Sequence, residues 1–403
     1  MKISGRSQVP PFAVMEILGA ANARRAAGAS VVSLCAGEPT GGAPAVVRER
    51  ARELLVDGDL GYTESTGAPD LRRAIAGHYA RWYDVDVDPA RVAVTTGSSG
   101  GFLLVFLAAF DVGDRVAVTR PGYPAYANTL RALGCEVVEL PCGPEQRYQP
   151  TLAQLTQAYY EGGLDGVVVA SPANPTGTMI GADDLSALAA WCAEYDVRLV
   201  SDEIYHGLTY GAASADQATA ARDLDRGAVV VSSFSKYWAM TGWRLGWLVL
   251  PADLVPPVAA LAGNLALCPP ALAQHAAVAA FSPEGYAAAE ANVRRYAASR
   301  ELLLARLPEL GWSRVAPADG AFYLYADISG SDLDSVTWCA RLLDEAGVAL
   351  TPGTDFDRVD GRDWVRIAFA SPVEVVGEAL DRIVAWQAGV GASRAPEAPR
   401  ART

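Results

Sequence analysis

The chain has 403 residues, more than one average domain, and 51% of them are hydrophobic, enough for a large core. A formal net charge of -13 argues against a nucleic-acid partner, which would meet a basic face. The longest apolar run, Phe102 to Phe110, falls far short of the ~20 residues a membrane helix needs, and no secretory signal is visible, so no membrane partner is expected. The six cysteines form no CxxC pair and read as buried thiols in a reducing cytoplasm. His78, His206 and His275 lack ligand spacing, so no metal is expected.

In chain order, Val14 to Ala27 reads as a helix closed by Gly28, and VVSLCAGEP as a short strand leading to Gly37. Arg48 to Asp57 is amphipathic, and a helix begins near Pro69, a residue tolerated in the first turn. From Arg91 the pattern becomes regular. RVAVTT is a strand, GSSGG a tight turn and FLLVFLAAF a buried helix. Strands DRVAVTRP, CEVVEL, DGVVVASP, VRLVSDE and AVVVSSFSK follow, with helices over Tyr123–Leu133, Thr151–Tyr160 and Asp183–Tyr195.

Short apolar strands alternating with helices predict an α/β fold whose mainly parallel, seven-stranded sheet is covered on both faces. Arg244–Leu250 follows after a connection too short for a parallel crossover, so it is expected to run antiparallel. After about Phe281, long helices flank the separate strands AFYLYADI and WVRIAFA, which predicts a smaller α+β domain. The expected division is 46–280 for the large domain, 1–45 with 281–388 for the small one, and a disordered tail over 389–403.

Among 33 basic residues only two are lysines, Lys2 and Lys236. A guanidinium stays charged, whereas a desolvated lysine amine can lose its proton and act as a nucleophile. Lys236 follows a strand, and the carboxyl ends of parallel strands are where α/β sheets bind ligands. Those ends carry, in turn, Ser98 and Ser99, then Asn174, then Asp202 and Tyr205, then Ser233, Ser235 and Lys236, with Arg244 eight residues on. Taken singly, these are helix caps and turn residues. Together they supply a helix N-terminus with hydroxyls and an arginine for a phosphate, an amine for an aldehyde, and an aspartate for a ring nitrogen. Pyridoxal 5'-phosphate has all three of those groups.

The motifs SFSKYWAMTGWRLG, SPANPTG, SDEIY, GYTESTGAPDLR, AGEP, TTGSSG, RPGYPAY and WVRIAFA stand in one order over about residues 10 to 388. In this set the chain resembles the fold-type I, class-I/II aminotransferases, the superfamily of aspartate aminotransferase. The resemblance implies transamination by a ping-pong route through pyridoxamine phosphate, in a homodimer with shared active sites. Lys236 would hold the cofactor and move the proton. Asp202 would pair with the ring nitrogen, and Asn174 and Tyr205 with the ring oxygen. Tyr123 would stack on the ring. Ser98, Ser99, Ser233 and Arg244 would hold the phosphate, and Tyr62 would reach that of the neighbouring subunit. Arg366 would grip the substrate α-carboxylate, with Gly37 leaving room and Asn174 nearby.

Some bacterial aspartate aminotransferases of this family carry a lysine where this chain has Ser99, and the chain lacks the Asp-Phe usual after Gly-Glu-Pro, having Thr40, Gly41 and Gly42. The segment GNLALCPP, expected to line a partner's pocket, is also neutral. These departures favour a neutral donor, alanine or a branched-chain residue, over aspartate. Two other readings remain open. A C–S lyase or decarboxylase on the same fold would share the cofactor residues. A serine hydrolase would use the GxSxG pattern at residues 97–101, with Ser99, Asp202 and His275 as its triad.

Overall fold

The computed structural model describes residues 1–392. Contacts group the chain into two units. The first joins Met1–Pro11, Glu38–Arg294 and Ala316–Tyr323; the second joins Phe12–Gly37, Arg295–Val315 and the chain from Leu324 onward.

The helix α1 (Ala13–Ala26) and strand β1 (Val32–Ser33) belong to the second unit. In the first unit, α2 (Ala45–Asp57) and α3 (Pro69–Tyr83) precede seven strands. These are β2 (Val92–Thr95), β3 (Arg115–Arg120), β4 (Glu136–Pro141), β5 (Gly166–Ala170), β6 (Arg198–Asp202), β7 (Val229–Ser233) and β8 (Gly246–Val249). Between them lie α4 (Gly97–Ala109), α5 (Pro124–Leu133), α6 (Leu152–Gly162) and α7 (Ala182–Glu194). The helices α8 (Val255–Ala266) and α9 (Ala271–Ala277) follow, and α10 (Pro283–Ala305) belongs to the first unit up to Arg294 and to the second from Arg295.

The spatial order of the large sheet is β2-β8-β7-β6-β5-β3-β4. Neighbours from β4 to β7 pair in parallel, with Ala170 opposite Asp202 and Asp202 opposite Val231. As the short connection predicts, β8 runs antiparallel to both β7 and β2. Both faces are closed. Val168, Val200, Val229 and Val231 pack in one core cluster with Phe102, Phe106, Leu130 and Val258, and the intervening Val167, Val169, Leu199 and Val230 are also buried. Each such side chain contributes roughly 1.5–3 kcal/mol. The central strands read as unbroken apolar runs because neither face meets water.

In the second unit, β11 (Thr351–Pro352), β12 (Trp364–Ala368) and β9 (Tyr323–Asp327) form a three-stranded sheet in that order, while β1 pairs with β10 (Val348–Ala349). Its helices are α11 (Leu307–Leu310), α12 (Ser335–Ala346) and α13 (Val373–Ala392). No helix among the described residues is long and apolar enough to cross a membrane.

Two local expectations need correction. GSSGG is not a turn before the helix but the opening of α4 itself; the positive φ of +67° falls on Gly97, and the serines are helical. Residues 389–392 continue α13 where a disordered tail was expected, and the remainder of that stretch, 393–403, lies outside the described residues.

The start of α6 carries a capping box. Thr151 Oγ1 accepts from the Gln154 N–H at 3.3 Å, and Gln154 Oε1 accepts from the Thr151 N–H at 3.0 Å. Thr151→Ala is expected to cost about 1 kcal/mol, measured as a lowered denaturation midpoint with unchanged cooperativity.

Candidate active site

Four strand ends of the large sheet, those of β2, β5, β6 and β7, carry the first unit's polar cluster. At the end of β6, Asp202 is 3% exposed. Its Oδ1 accepts from the Ile204 N–H at 3.1 Å, and its Oδ2 accepts from the Tyr126 hydroxyl on α5. Burial pushes its carboxyl up to about 6, while the Tyr126 bond, the Ile204 N–H and the charge of Lys236 pull it down. Asp202 is thus a carboxylate held in one orientation, ionised for the most part at neutral pH.

Past β7 the chain turns on its own hydroxyl. Ser233 Oγ accepts from the Ser235 N–H at 3.0 Å and lies 2.8 Å from Ser235 Oγ and 3.2 Å from the Leu245 carbonyl. That turn delivers Lys236, half-buried, with Nζ 5.8 Å from the Tyr205 ring centroid and 6.0 Å from that of Phe322. Tyr205 is buried, and its hydroxyl lies 2.7 Å from that of Tyr323. Asn174 is half-buried in the loop after β5, which the Ser171 N–H ties to the Asp202 carbonyl at 3.1 Å.

Beyond β2, α4 begins with Gly97, half-buried Ser98 and exposed Ser99. Arg244 packs against this helix end: a Cβ built on Gly97 would lie only 2.4 Å from Arg244 Nη2. Only glycine admits that approach and also the left-handed backbone. A thirteen-residue helix points its free N–H groups and positive dipole end at the same place as a guanidinium, which is a seat for an anion. Tyr123 is the N-cap residue of α5 and lies edge-on to Tyr126, ring centroids 5.4 Å apart. Tyr62 stands apart, 85% exposed on the loop before α3.

The second unit holds the other two residues named from sequence. Arg366, on β12, is 3% exposed; its Nη2 donates to the Cys35 carbonyl at 2.7 Å, and its guanidinium lies 4.7 Å from the Phe356 ring centroid. Gly37 follows two residues after Cys35.

The hydrolase triad is not assembled. A nucleophile elbow needs its serine at a strained turn, whereas Ser99 is inside α4. Asp202 is engaged by Tyr126 and Ile204, and His275 lies in α9, which packs on α2 and α3.

Sequence reasoning missed a second buried acid. Glu203 follows Asp202 and, by strand alternation, leaves on the opposite face. It accepts from the Ala220 N–H at 2.8 Å, Thr219 Oγ1 at 2.8 Å and Ser201 Oγ at 3.1 Å. His206 Nδ1 lies 3.4 Å from it and 2.6 Å from the Tyr83 hydroxyl. Burial pushes Glu203 up to about 8 and His206 down to about 3. Both are therefore neutral at pH 7, as a dry pocket requires. Between its ordinary 4.5 and about 8, Glu203 keeps a proton in the folded protein that the unfolded chain releases. Its contribution to stability is complete below that window and is lost as pH rises through it. Glu203→Gln is expected to flatten the fall in Tm of the cofactor-free protein between pH about 5 and about 8.5. An unchanged slope in thermal melts would count against a protonated Glu203.

A family model for aminotransferase class I and II matches residues 29–383. A valine–pyruvate aminotransferase of Mycobacterium tuberculosis is 53% identical over 385 residues, 96% of this chain and 98% of that protein. The crystal structure of an aminotransferase from Mycobacterium tuberculosis matches with a TM-score of 0.93 at 52% identity, covering 96% of this chain and 100% of that one. Aspartate aminotransferase from Thermus thermophilus with maleate matches at 0.90 and 33% identity, covering 96% and 99%. The chain belongs to the class I and II aminotransferases, pyridoxal 5'-phosphate enzymes that move an amino group from an amino acid to a 2-oxo acid.

Proposed function

We propose that this aminotransferase takes a neutral aliphatic L-amino acid, valine or alanine, as donor and pyruvate or 2-oxoglutarate as acceptor. The observation that carries this reading is the 53% identity to a valine–pyruvate aminotransferase. Ser99, neutral at the start of α4, agrees with it. The lyase and decarboxylase readings find no support in relatives that are themselves named aminotransferases.

The residues present fit the cofactor. The cradle of Gly97 against Arg244 suits the phosphate, with Ser98 and Ser99 as further donors, whereas the buried Ser233 hydroxyl is engaged with the Leu245 carbonyl and Ser235. The buried, oriented carboxylate of Asp202 suits a protonated ring nitrogen. When bound, the cofactor supplies an aldehyde and a ring that takes up carbanion charge. Lys236 would present its amine to that aldehyde, and its Nζ would be the group that moves the donor's α-proton. The Asp202 carboxylate would keep the ring nitrogen protonated. Asn174 and Tyr205 would hold the ring oxygen, and Tyr123 would cover the ring face. Arg366 pairs with the substrate α-carboxylate, beside Gly37.

The reading includes a homodimer, in which Tyr62 reaches the phosphate of the second copy. The exposure of Tyr62, Leu265 and Leu267 in the isolated chain supports it. A cytoplasmic setting accords with six free cysteines.

Single-turnover mixing with a donor panel tests the substrate assignment. Valine and alanine are expected to bleach the cofactor's visible band at least about tenfold faster than aspartate at equal concentration. Aspartate reacting faster overturns the neutral-donor reading. Stoichiometric release of ammonia or carbon dioxide overturns transamination. Gly97→Ala, by displacing the Arg244 guanidinium, is expected to raise the Kd for pyridoxal 5'-phosphate about tenfold or more, measured by fluorescence titration.

A further inference from the structure

Residues 316–323 are tied down as a strap across the loops that follow β5 and β6. The Gly320 N–H donates to the Gly177 carbonyl and the Ala321 N–H to the Leu208 carbonyl, both at 2.8 Å. The Tyr210 N–H donates to the Asp319 carbonyl at 2.9 Å, and the Tyr210 hydroxyl to the Ala321 carbonyl at 2.6 Å. Gly320 is a tight fit, since a Cβ there would lie 2.4 Å from Pro172 Cγ. Ala318 and Ala321 both hold positive φ, 52° and 57°, which alanine adopts only where surroundings impose it.

The strap ends by placing two rings. Phe322 and Tyr323 are both buried and stand nearly perpendicular to Tyr205, each with centroids 5.6 Å away. The hydroxyls of Tyr205 and Tyr323 are 2.7 Å apart, in hydrogen-bond contact. The titratable groups around them are Tyr123 and Tyr126 on α5, Asp202 on β6 and Lys236 after β7.

We propose that Tyr323 is a positioning residue: its hydroxyl donates to that of Tyr205 and so commits the Tyr205 proton to the cofactor's ring oxygen. The proposal rests on the assignment of Tyr205 as the ring-oxygen donor. A hydroxyl oxygen that accepts one hydrogen bond becomes a stronger donor of its own. Without that bond the Tyr205 hydroxyl loses this strengthening and is the weaker donor. A donor at the ring oxygen stabilises that oxygen's negative charge most when the neighbouring nitrogen has no proton to share with it. The donor therefore lowers the pH at which the bound chromophore gives up its proton, and weakening the donor raises it.

The test is a pH titration of the visible absorbance of the purified holoenzyme. Tyr323→Phe is expected to raise the midpoint by roughly 0.3–1 unit, a two- to tenfold change in proton affinity. Tyr205→Phe should raise it at least as far, and the double variant no further than Tyr205→Phe alone, because the two hydroxyls act through one bond. Tyr325→Phe, which removes a buried hydroxyl from the same strand, should leave the midpoint in place. A Tyr323→Phe titration that matches wild type while Tyr205→Phe shifts overturns the positioning role and leaves the Tyr205 assignment standing. Additive shifts in the double variant also overturn it. No shift in Tyr205→Phe overturns the Tyr205 assignment and this proposal with it. Should Tyr323→Phe not fold, Tyr323→Leu also lacks the hydroxyl and must give the same direction of shift.

Discussion

A parallel sheet buried on both faces can place polar side chains in one region only, where its strands end. Inside β5, β6 and β7 every position except Arg198, at the start of β6, is buried, and valine and leucine dominate them. An ionisable side chain there would lose its hydration with no compensating partner. At the carboxyl ends the backbone leaves the ladder, and its N–H groups become available to side chains. The Ile204 N–H on Asp202 is such a case.

The adjacent acids Asp202 and Glu203 illustrate how finely this region separates charge states. Both are almost fully buried. Asp202 has the nearby lysine charge as well as the Tyr126 hydroxyl and a backbone N–H, and burial takes it only to about 6. Glu203 has a backbone N–H and two hydroxyls but no facing cation, and the negative Asp202 works against it, so it reaches about 8. Near neutral pH one acid is mainly charged and its neighbour mainly protonated. Strand alternation keeps them on opposite faces, so the neutral acid can serve packing with Thr219 and Tyr83's histidine partner while the charged one faces the lysine side.

The central strands were legible because two-sided burial writes itself as runs of valine, and their order of polar ends followed from that register. The antiparallel β8 was legible from the length of one connection. Other features carry no local signal. The strands β1, β10 and β11 have two residues each, too few for any period. A glycine-rich GSSGG reads as a turn, yet the close approach of Arg244 to Gly97 and of Leu248 to Gly101 explains those glycines inside a helix. Tyr126 lies 76 residues from Asp202, and Tyr323 lies 118 from Tyr205. Contacts at such separation depend on the whole topology, and neither tyrosine stands in a pattern that marks it from an ordinary core aromatic.

The strap that delivers Tyr323 is conformationally costly, which constrains what it is for. Two alanines in the left-handed region cost roughly 1–2 kcal/mol each. Four hydrogen bonds to neighbouring loops, at about 0.5–1.5 kcal/mol apiece, offset that cost. The ion pair of Arg147 with Asp319 adds little, its arginine being largely exposed. The balance is close to even, so the strap is no great source of stability. A simple extended entry into β9 would avoid the strain. Shifting the register by one residue, however, exchanges the faces on which successive side chains lie. Such a shift would move the Tyr323 hydroxyl off the position 2.7 Å from Tyr205 that it now holds. The strained alanines lie in the strap whose last residue brings a phenol to the Tyr205 hydroxyl.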